Sequence, residues 1–187
     1  MCYNWGMIVL IGASASGKTE VAKTLISKHG FSKIVTYTTR EIRPSEKNGV
    51  DYHFVSKEKF LELKEQSFFL ETTTYNNNFY GTPKNDLGLN KVIILEPNGF
   101  KALKEINDPT IISYYILDNE DNRRRHMLER GDDPKKVEER IINDRKEFSY
   151  QNIGSTTFVI QGDNLSISQI TEEVYKKYMK KLSNKKA

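Results

Sequence analysis

Cysteine is nearly absent from this sequence of 187 residues, in which Cys2 is the only example. One cysteine excludes a disulfide bond within the chain. With only three histidines as well, a zinc site built from Cys and His side chains is not expected. The expected compartment is therefore a reducing cytoplasm.

Long apolar runs are also missing. No stretch approaches the ~20 apolar residues that a membrane-spanning helix needs. Near the amino terminus the apolar run covers only Met7 to Ile11, with no basic segment before it, which is not typical of a signal peptide. We therefore expect no membrane partner.

The excess of one charge is small, since 29 Lys and Arg residues face 25 Asp and Glu residues, for a net charge of +4. This mild excess is compatible with an anionic substrate but too weak to indicate nucleic-acid binding. The length and the 37% hydrophobic content suit one compact domain with a sizeable core and a short insertion.

Apolar runs alternate with helical patterns along most of the chain. A helix is predicted over Gly17–His29, after the first apolar run. The runs that predict buried strands are Met7–Ile11, Lys91–Glu96, Thr110–Leu117 and Thr156–Gln161. Nearly continuous apolar strands separated by helices indicate an α/β fold, with a parallel sheet covered by helices on both faces.

The pattern changes between residues 36 and 89. Short strands are predicted at Lys33–Thr39, Asp51–Val55, Phe68–Tyr75 and Phe79–Tyr80. One helix, Ser56–Gln66 with Ser56 as its N-cap, interrupts them. We interpret this region as a small mixed α/β insertion that divides a core formed by residues 1–35 and 90–187.

Three further helices are predicted beyond the third core strand. The first is basic and lies near Asn119–Arg130, and the second begins with Asp133 as its N-cap and Pro134 in its first turn. The last, about Ser166–Leu182, is amphipathic.

Residues 12–19 read GASASGKT, which matches the phosphate-binding pattern G-x-x-x-x-G-K-[ST] at Gly12, Gly17, Lys18 and Thr19. The pattern lies between a predicted strand and a predicted helix, as a phosphate-binding loop requires. Lys18 then reaches the β- and γ-phosphates of ATP, and Thr19 ligates Mg²⁺. The alternative is a glycine-containing turn without a ligand, but a chance match is expected in only about 1% of chains this long.

Three later segments carry a second pattern. They read TYTTREIRPSEKNGVDYHFV from residue 36, FLETTTY from residue 69 and FYGTP from residue 79. In this order and at this spacing they resemble the guanylate kinase family, and the resemblance extends from Met7 to about Leu182. It implies a three-part P-loop kinase with an acceptor-binding insertion at 36–89 and a helical lid within 121–146.

The resemblance also implies a set of acceptor residues. The residues expected to bind the phosphate of GMP are Arg40, Arg43, Tyr52 and Tyr80, and those expected to bind the base are Thr36, Glu71 and Thr82. Guanidinium groups suit phosphate oxygens. A carboxylate can accept from both N1–H and the 2-amino group of guanine, whereas adenine presents an acceptor at N1. Glu96 is expected near the acceptor or Mg²⁺.

For the donor, the residues implied to bind ATP are Gly12, Ala13, Ser14, Ala15, Ser16, Gly17, Lys18, Thr19 and Thr24. The residues implied in catalysis are Lys18, Arg40, Arg130 and Arg140, with Arg124 or Arg125 assisting. His126 is expected to be a partly exposed lid residue. Gly162 and Asp163 stand where the family has an Asn-Asp pair, so the adenine contacts stay open.

The resemblance implies ATP, Mg²⁺ and GMP or dGMP as ligands. A monomer and a homodimer are both left open by the sequence. Two alternatives remain on the same fold: a non-catalytic module that binds phosphorylated peptides, and a kinase of another small phosphorylated acceptor. A nucleic-acid-binding protein is supported only by the mild basicity.

Overall fold

The structure is a computed structural model that describes residues 6–75 and 77–183. Along the chain its strands are β1 (Met7–Ile11), β2 (Ser32–Lys33), β3 (Tyr37–Thr38), β4 (His53–Phe54), β5 (Phe69–Tyr75), β6 (Asn78–Pro83), β7 (Lys91–Ile94), β8 (Ile111–Leu117) and β9 (Phe158–Gln161). Its α-helices are α1 (Lys18–His29), α2 (Lys57–Glu65), α3 (Pro97–Glu105), α4 (Glu120–Glu129), α5 (Pro134–Glu147), α6 (Tyr150–Ile153) and α7 (Ile167–Ser183).

Five parallel strands form the first sheet, in the order β2-β7-β1-β8-β9. The central strand β1 is buried along its whole length. Successive side chains of a strand point to opposite faces. Accordingly, Ile8 and Leu10 belong to the hydrophobic cluster that includes α1 and α7, whereas Val9 packs with Phe100 and Leu103 of α3. The predicted parallel sheet with apolar packing on both faces is thus confirmed.

A second, four-stranded sheet has the order β4-β3-β6-β5. Its long pair, β5 and β6, is antiparallel. Helix α2 packs on it through Phe60, whose ring stacks on Phe69 at a centroid distance of 4.7 Å. The side chain of Ser56 accepts a hydrogen bond from the Lys59 amide at 3.2 Å, which confirms the predicted N-cap.

The prediction of one continuous strand at Lys33–Thr39 was wrong, because two short strands lie there instead. These are β2, which pairs with β7 in the first sheet, and β3, which pairs with β6 in the second. Ile34, between them, is buried in the core of the first sheet. An apolar run in the sequence contains no sign that a strand changes partners, so the two pieces could not be separated.

Helix α3 was not predicted, and the strand predicted at Lys91–Glu96 is two residues shorter than expected. The strand ends at Ile94, and Pro97 occupies the first turn of α3. Proline at that position is a helix-start signal. The N-cap predicted for α5 is confirmed, since Asp133 accepts from the Lys135 and Lys136 amides. Asn119, which was not predicted as a cap, accepts from the Asn122 amide at the start of α4.

Among the helices in the described part of the chain, none combines the length and apolar character needed to cross a membrane. The last helix, α7, is long but amphipathic and packs on α1.

Candidate active site

The loop between β1 and α1 requires glycine at both ends. A β-carbon on Gly12 would lie 2.5 Å from the Ile116 carbonyl oxygen and 2.7 Å from Ser16 Oγ. Gly17 has φ 87°, in the left-handed region that favours glycine, and α1 begins at the next residue. The free amide groups of a helix N-terminus are well suited to bind phosphate.

Lys18 lies folded against its own loop. Its Nζ donates to the Ala13 carbonyl oxygen at 2.7 Å and lies 5.9 Å from the centre of the Phe148 ring. Burial lowers the pKa of Lys18, while the Glu96 and Asp144 carboxylates act in the opposite direction. The ammonium group is therefore held inside the phosphate-binding loop rather than in bulk water.

One cleft runs from this loop to the second sheet. From the ATP set it is lined by Ser14, Ala15, Lys18 and Thr19, and from the acceptor and catalytic sets by Thr36, Arg40, Arg43, Tyr52, Tyr80, Glu96, Arg130 and Arg140. Thr24 is not among these lining residues. Its hydroxyl group donates to the Glu20 carbonyl oxygen of α1 at 2.8 Å, so only Thr24 among the predicted ATP residues lies outside both the loop and the cleft.

The guanidinium group of Arg40 is held by Glu46, which the sequence did not identify. Arg40 Nη2 donates to the two carboxylate oxygens of Glu46 at 2.7 and 2.9 Å, and the Arg43 amide donates to the second oxygen at 2.9 Å. Burial acts to raise the pKa of Glu46, but these hydrogen bonds outweigh it and the pKa is lowered. Glu46 therefore stays ionised and orients Arg40 beside the Tyr52 ring.

A narrower pocket adjoins the cleft and shares Thr36, Tyr52, Tyr80 and Glu96 with it. Glu71 and Thr82 line this pocket. Glu71 Oε1 accepts from the Thr82 hydroxyl at 2.7 Å, whereas Oε2 is buried without a hydrogen-bond partner among the described residues. Burial raises the pKa of Glu71, although the hydrogen bonds from Thr82 oppose it. The pocket thus offers one unused carboxylate oxygen.

Glu96 lies just before α3, where the pocket meets the cleft. Burial raises its pKa to about 7; the Lys18 charge opposes this shift, and the Asp144 and Glu147 charges add to it. Its Oε2 has no hydrogen-bond partner in the described part of the chain. Glu96 is therefore an acidic group that can change its charge near neutral pH beside the lysine of the loop.

Arg130 and Arg140 are brought together by one carboxylate, Asp132, which the sequence also did not identify. Its Oδ2 accepts from Arg130 Nη2 at 2.5 Å and from Arg140 Nη1 at 3.1 Å. Burial acts to raise the pKa of Asp132, but the hydrogen bond from Arg130 and the charges of both arginines lower it. Two guanidinium groups against one carboxylate leave this wall of the cleft positive.

The other basic residues of α4 have different positions. Arg124 pairs with Glu138 and Asp121 on the surface, and Arg125 lies 4.0 Å from Glu129; neither lines the cleft. His126, whose side chain is 43% exposed as expected, has Nδ1 3.3 Å from the Ala15 carbonyl oxygen. Arg123 is instead buried against Asp144, a contact that the helical charge pattern did not reveal.

The sequence model of one protein family, described as guanylate kinase, matches residues 5–181. The chain belongs to the guanylate kinase family. A guanylate kinase of Wolbachia pipientis wMel is 32% identical over 190 residues, covering 96% of this chain and 94% of that protein. A guanylate kinase of Wolinella succinogenes is 34% identical over 87% of this chain and 79% of its own length.

The fold agrees with this assignment. The crystal structure of guanylate kinase from Anaplasma phagocytophilum superposes with a TM-score of 0.75 at 22% sequence identity, covering 96% of this chain and 87% of that one. The protein is thus an enzyme, a nucleotide-binding phosphotransferase of the guanylate kinase family, and membership supports ATP and GMP as its substrates.

Proposed function

We propose that this enzyme transfers the γ-phosphate of ATP to GMP or dGMP with Mg²⁺. The observation that carries the choice of acceptor is the unpartnered Oε2 of Glu71 in the narrow pocket. A buried carboxylate oxygen without a partner is costly, so a ligand that supplies a donor there binds with a large advantage. Guanine supplies two adjacent donors, N1–H and the 2-amino group. Adenine would place its N1 lone pair against the carboxylate.

The phosphate of the acceptor is then expected at the cleft end of the same pocket. Arg40, already oriented by Glu46, lies there with Arg43, Tyr52 and Tyr80. Charge-assisted hydrogen bonds from guanidinium groups are among the stronger contacts available to phosphate. The base and phosphate contacts of one nucleotide therefore come from two adjoining parts of one surface.

Catalysis in this proposal consists of positioning and charge stabilisation. Lys18 on one wall of the cleft and Arg130 and Arg140 on another direct positive charge toward the transferring phosphoryl group. The acceptor's phosphate oxygen needs no general base. In this proposal the enzyme has three parts: a core of residues 1–35 and 90–187, an acceptor-binding insertion at 36–89 and a lid at 121–146. Closure of the insertion and the lid over the nucleotides would exclude water.

The residues present also fit Mg²⁺. No cluster of three or more Asp, Glu, His or Cys side chains that could hold a metal ion by itself occurs among the described residues. That agrees with the preference of Mg²⁺ for few protein ligands, several waters and substrate phosphates. Thr19 lines the cleft and would bind the ion through its hydroxyl group. The unpartnered Oε2 of Glu96 could accept a hydrogen bond from a water molecule bound to the ion. When bound, Mg²⁺ would neutralise the charge on the β- and γ-phosphate oxygens.

The test is an assay of ADP release with GMP, dGMP, AMP, CMP and UMP as acceptors. We expect turnover with GMP or dGMP at a kcat/KM at least ~10³-fold above that for AMP, because the wrong base leaves buried polar groups unpaired. Folded Lys18→Ala is expected to lose ~10²-fold or more in kcat, since it lacks a charge at the transferring phosphoryl group. Equal turnover of all five nucleotides, or a fully active Lys18→Ala protein, would contradict the proposal.

A further inference from the structure

Asp144 of α5 is one of the most deeply buried charged residues in the described chain, with its side chain 0% exposed. Its Oδ2 accepts from the Ser14 amide at 2.8 Å and from Arg123 Nη1 at 2.9 Å, and its Oδ1 accepts from the Tyr75 hydroxyl at 2.8 Å. We call these four residues the Asp144 junction. They bring together the phosphate-binding loop, the helices α4 and α5 of the proposed lid, and the last residue of β5.

The junction holds the Ser14 residue of the loop from two sides. Its amide donates to Asp144, and its carbonyl oxygen lies 3.4 Å from Arg123 Nη1. A buried carboxylate is stable only when it is neutralised and fully hydrogen-bonded. Arg123, whose side chain is 5% exposed, supplies the neutralising charge. Because Asp144 also accepts from the Ser14 amide, the position of Ser14 depends on whether the Asp144 carboxylate keeps its other hydrogen bonds.

Tyr75 is the member of the junction that belongs to the acceptor side. It lies on β5 four residues after Glu71, and the pairing of β5 with β6 is regular over this stretch. Residues i, i+2 and i+4 of a strand share one face. Glu71 and Thr73 line the proposed guanine pocket and Tyr75 lines the cleft, so one face of one strand extends ~13 Å from the base pocket to the loop.

We propose that Asp144 is a positioning residue that couples acceptor binding to the order of the phosphate-binding loop through Tyr75. This rests on the proposed GMP site. Binding of the base to Glu71 fixes the position of β5 and so stabilises the hydrogen bond from the Tyr75 hydroxyl to Asp144, which in turn holds Ser14 in place for ATP. Coupling between two sites is reciprocal, so each nucleotide strengthens the binding of the other. The loop is then best ordered when an acceptor is present, which disfavours transfer to water.

The test compares the affinity of a non-hydrolysable ATP analogue with Mg²⁺, by calorimetry, in the absence and presence of saturating GMP. In the wild-type protein we expect GMP to tighten analogue binding at least ~5-fold, the lower end of ordinary coupling. Tyr75→Phe removes one hydroxyl group and leaves the ring, and is expected to reduce this factor to below twofold. Tyr37→Phe is the matched control, because Tyr37 lies on the same sheet outside the junction, and it should keep the wild-type factor.

Two results would overturn the proposal: no coupling in the wild-type protein, or full coupling in Tyr75→Phe. Steady-state kinetics give a second readout. The KM for ATP is measured at saturating GMP and at low GMP. Tyr75→Phe should raise the value at saturating GMP, and it should change the value at low GMP less. The two proposals can fail separately. A wild-type protein that does not phosphorylate GMP contradicts the proposed function, whereas an active enzyme whose coupling ignores Tyr75 contradicts only the junction.

Discussion

Gly99 of α3 lies directly behind the carboxylate of Glu71: a β-carbon built on Gly99 would come within 3.0 Å of Glu71 Oε1 and 3.2 Å of its carboxyl carbon. Because Gly99 has no side chain, there is room for the Glu71 carboxylate, which is proposed to bind guanine, to lie at this position.

Gly99→Ala is expected to displace the Glu71 carboxylate by a few tenths of an ångström and to lower kcat/KM for GMP about tenfold, or ~1.4 kcal/mol. The KM for ATP should change less than twofold. Alanine favours a helix over glycine, so the melting temperature should not fall. Gly88→Ala, where the added carbon meets open space, is the control. Equal GMP kinetics in the two variants would show that Gly99 does not position Glu71.

Substitution of Glu71 tests the identity of the base directly. Glu71→Ala removes the acceptor for guanine, and we expect kcat/KM for GMP to fall ~10²-fold or more, near 3 kcal/mol. AMP should lose little, so the GMP:AMP ratio shrinks. Glu71→Gln should lie between, since its amide oxygen still accepts one bond. A ratio that stays within about threefold of wild type in Glu71→Ala would rule out the guanine assignment.

The raised pKa of Glu96 predicts a pH-dependent stability. Its pKa is about 7 in the folded protein against 4.5 as the ordinary value. Between these values Glu96 has released its proton in the unfolded chain but keeps it in the folded protein, so the contribution of Glu96 to the free energy of unfolding falls as pH rises from 4.5 to 7. Glu96→Gln lacks this ionisation. Its stability relative to wild type should therefore increase by up to ~3 kcal/mol across that range.

The measurement is the melting temperature of both proteins at pH 5, 6, 7 and 8 in the presence of EDTA. Glu65→Gln, on the exposed surface of α2, serves as the control for removal of a carboxylate. A difference between Glu96→Gln and wild type that does not vary with pH would contradict the prediction.

The buried Arg123–Asp144 pair predicts non-additive stability. Arg123→Leu leaves the Asp144 carboxylate buried without its countercharge and should cost about 3–5 kcal/mol. Arg123→Leu combined with Asp144→Asn leaves no charge at this position. The double variant should thus be at least ~1 kcal/mol more stable than the single one, by urea unfolding at pH 7. A double variant less stable than Arg123→Leu would show that Asp144 stabilises the fold without its partner.

Local signals in the sequence were sufficient for the elements that carry the chemistry. The pattern ending in Lys18 and Thr19 lies between a strand and a helix, as predicted, because glycine geometry and apolar periodicity are both local properties. The N-caps Ser56 and Asp133 followed from the same kind of information, since a cap bonds to the amide two or three residues ahead.

Contacts between distant segments were decided only by the tertiary structure. The sequence could not show that β2 and β3 join different sheets, because each has only two residues and pairing depends on partners far along the chain. It predicted a basic helix at α4 but gave no sign that the position of α5 buries Arg123 against Asp144, 21 residues later. Residue type determined what each side chain can do chemically. The packing of separate elements determined which charges are buried, and therefore which carboxylates orient the arginines and the loop.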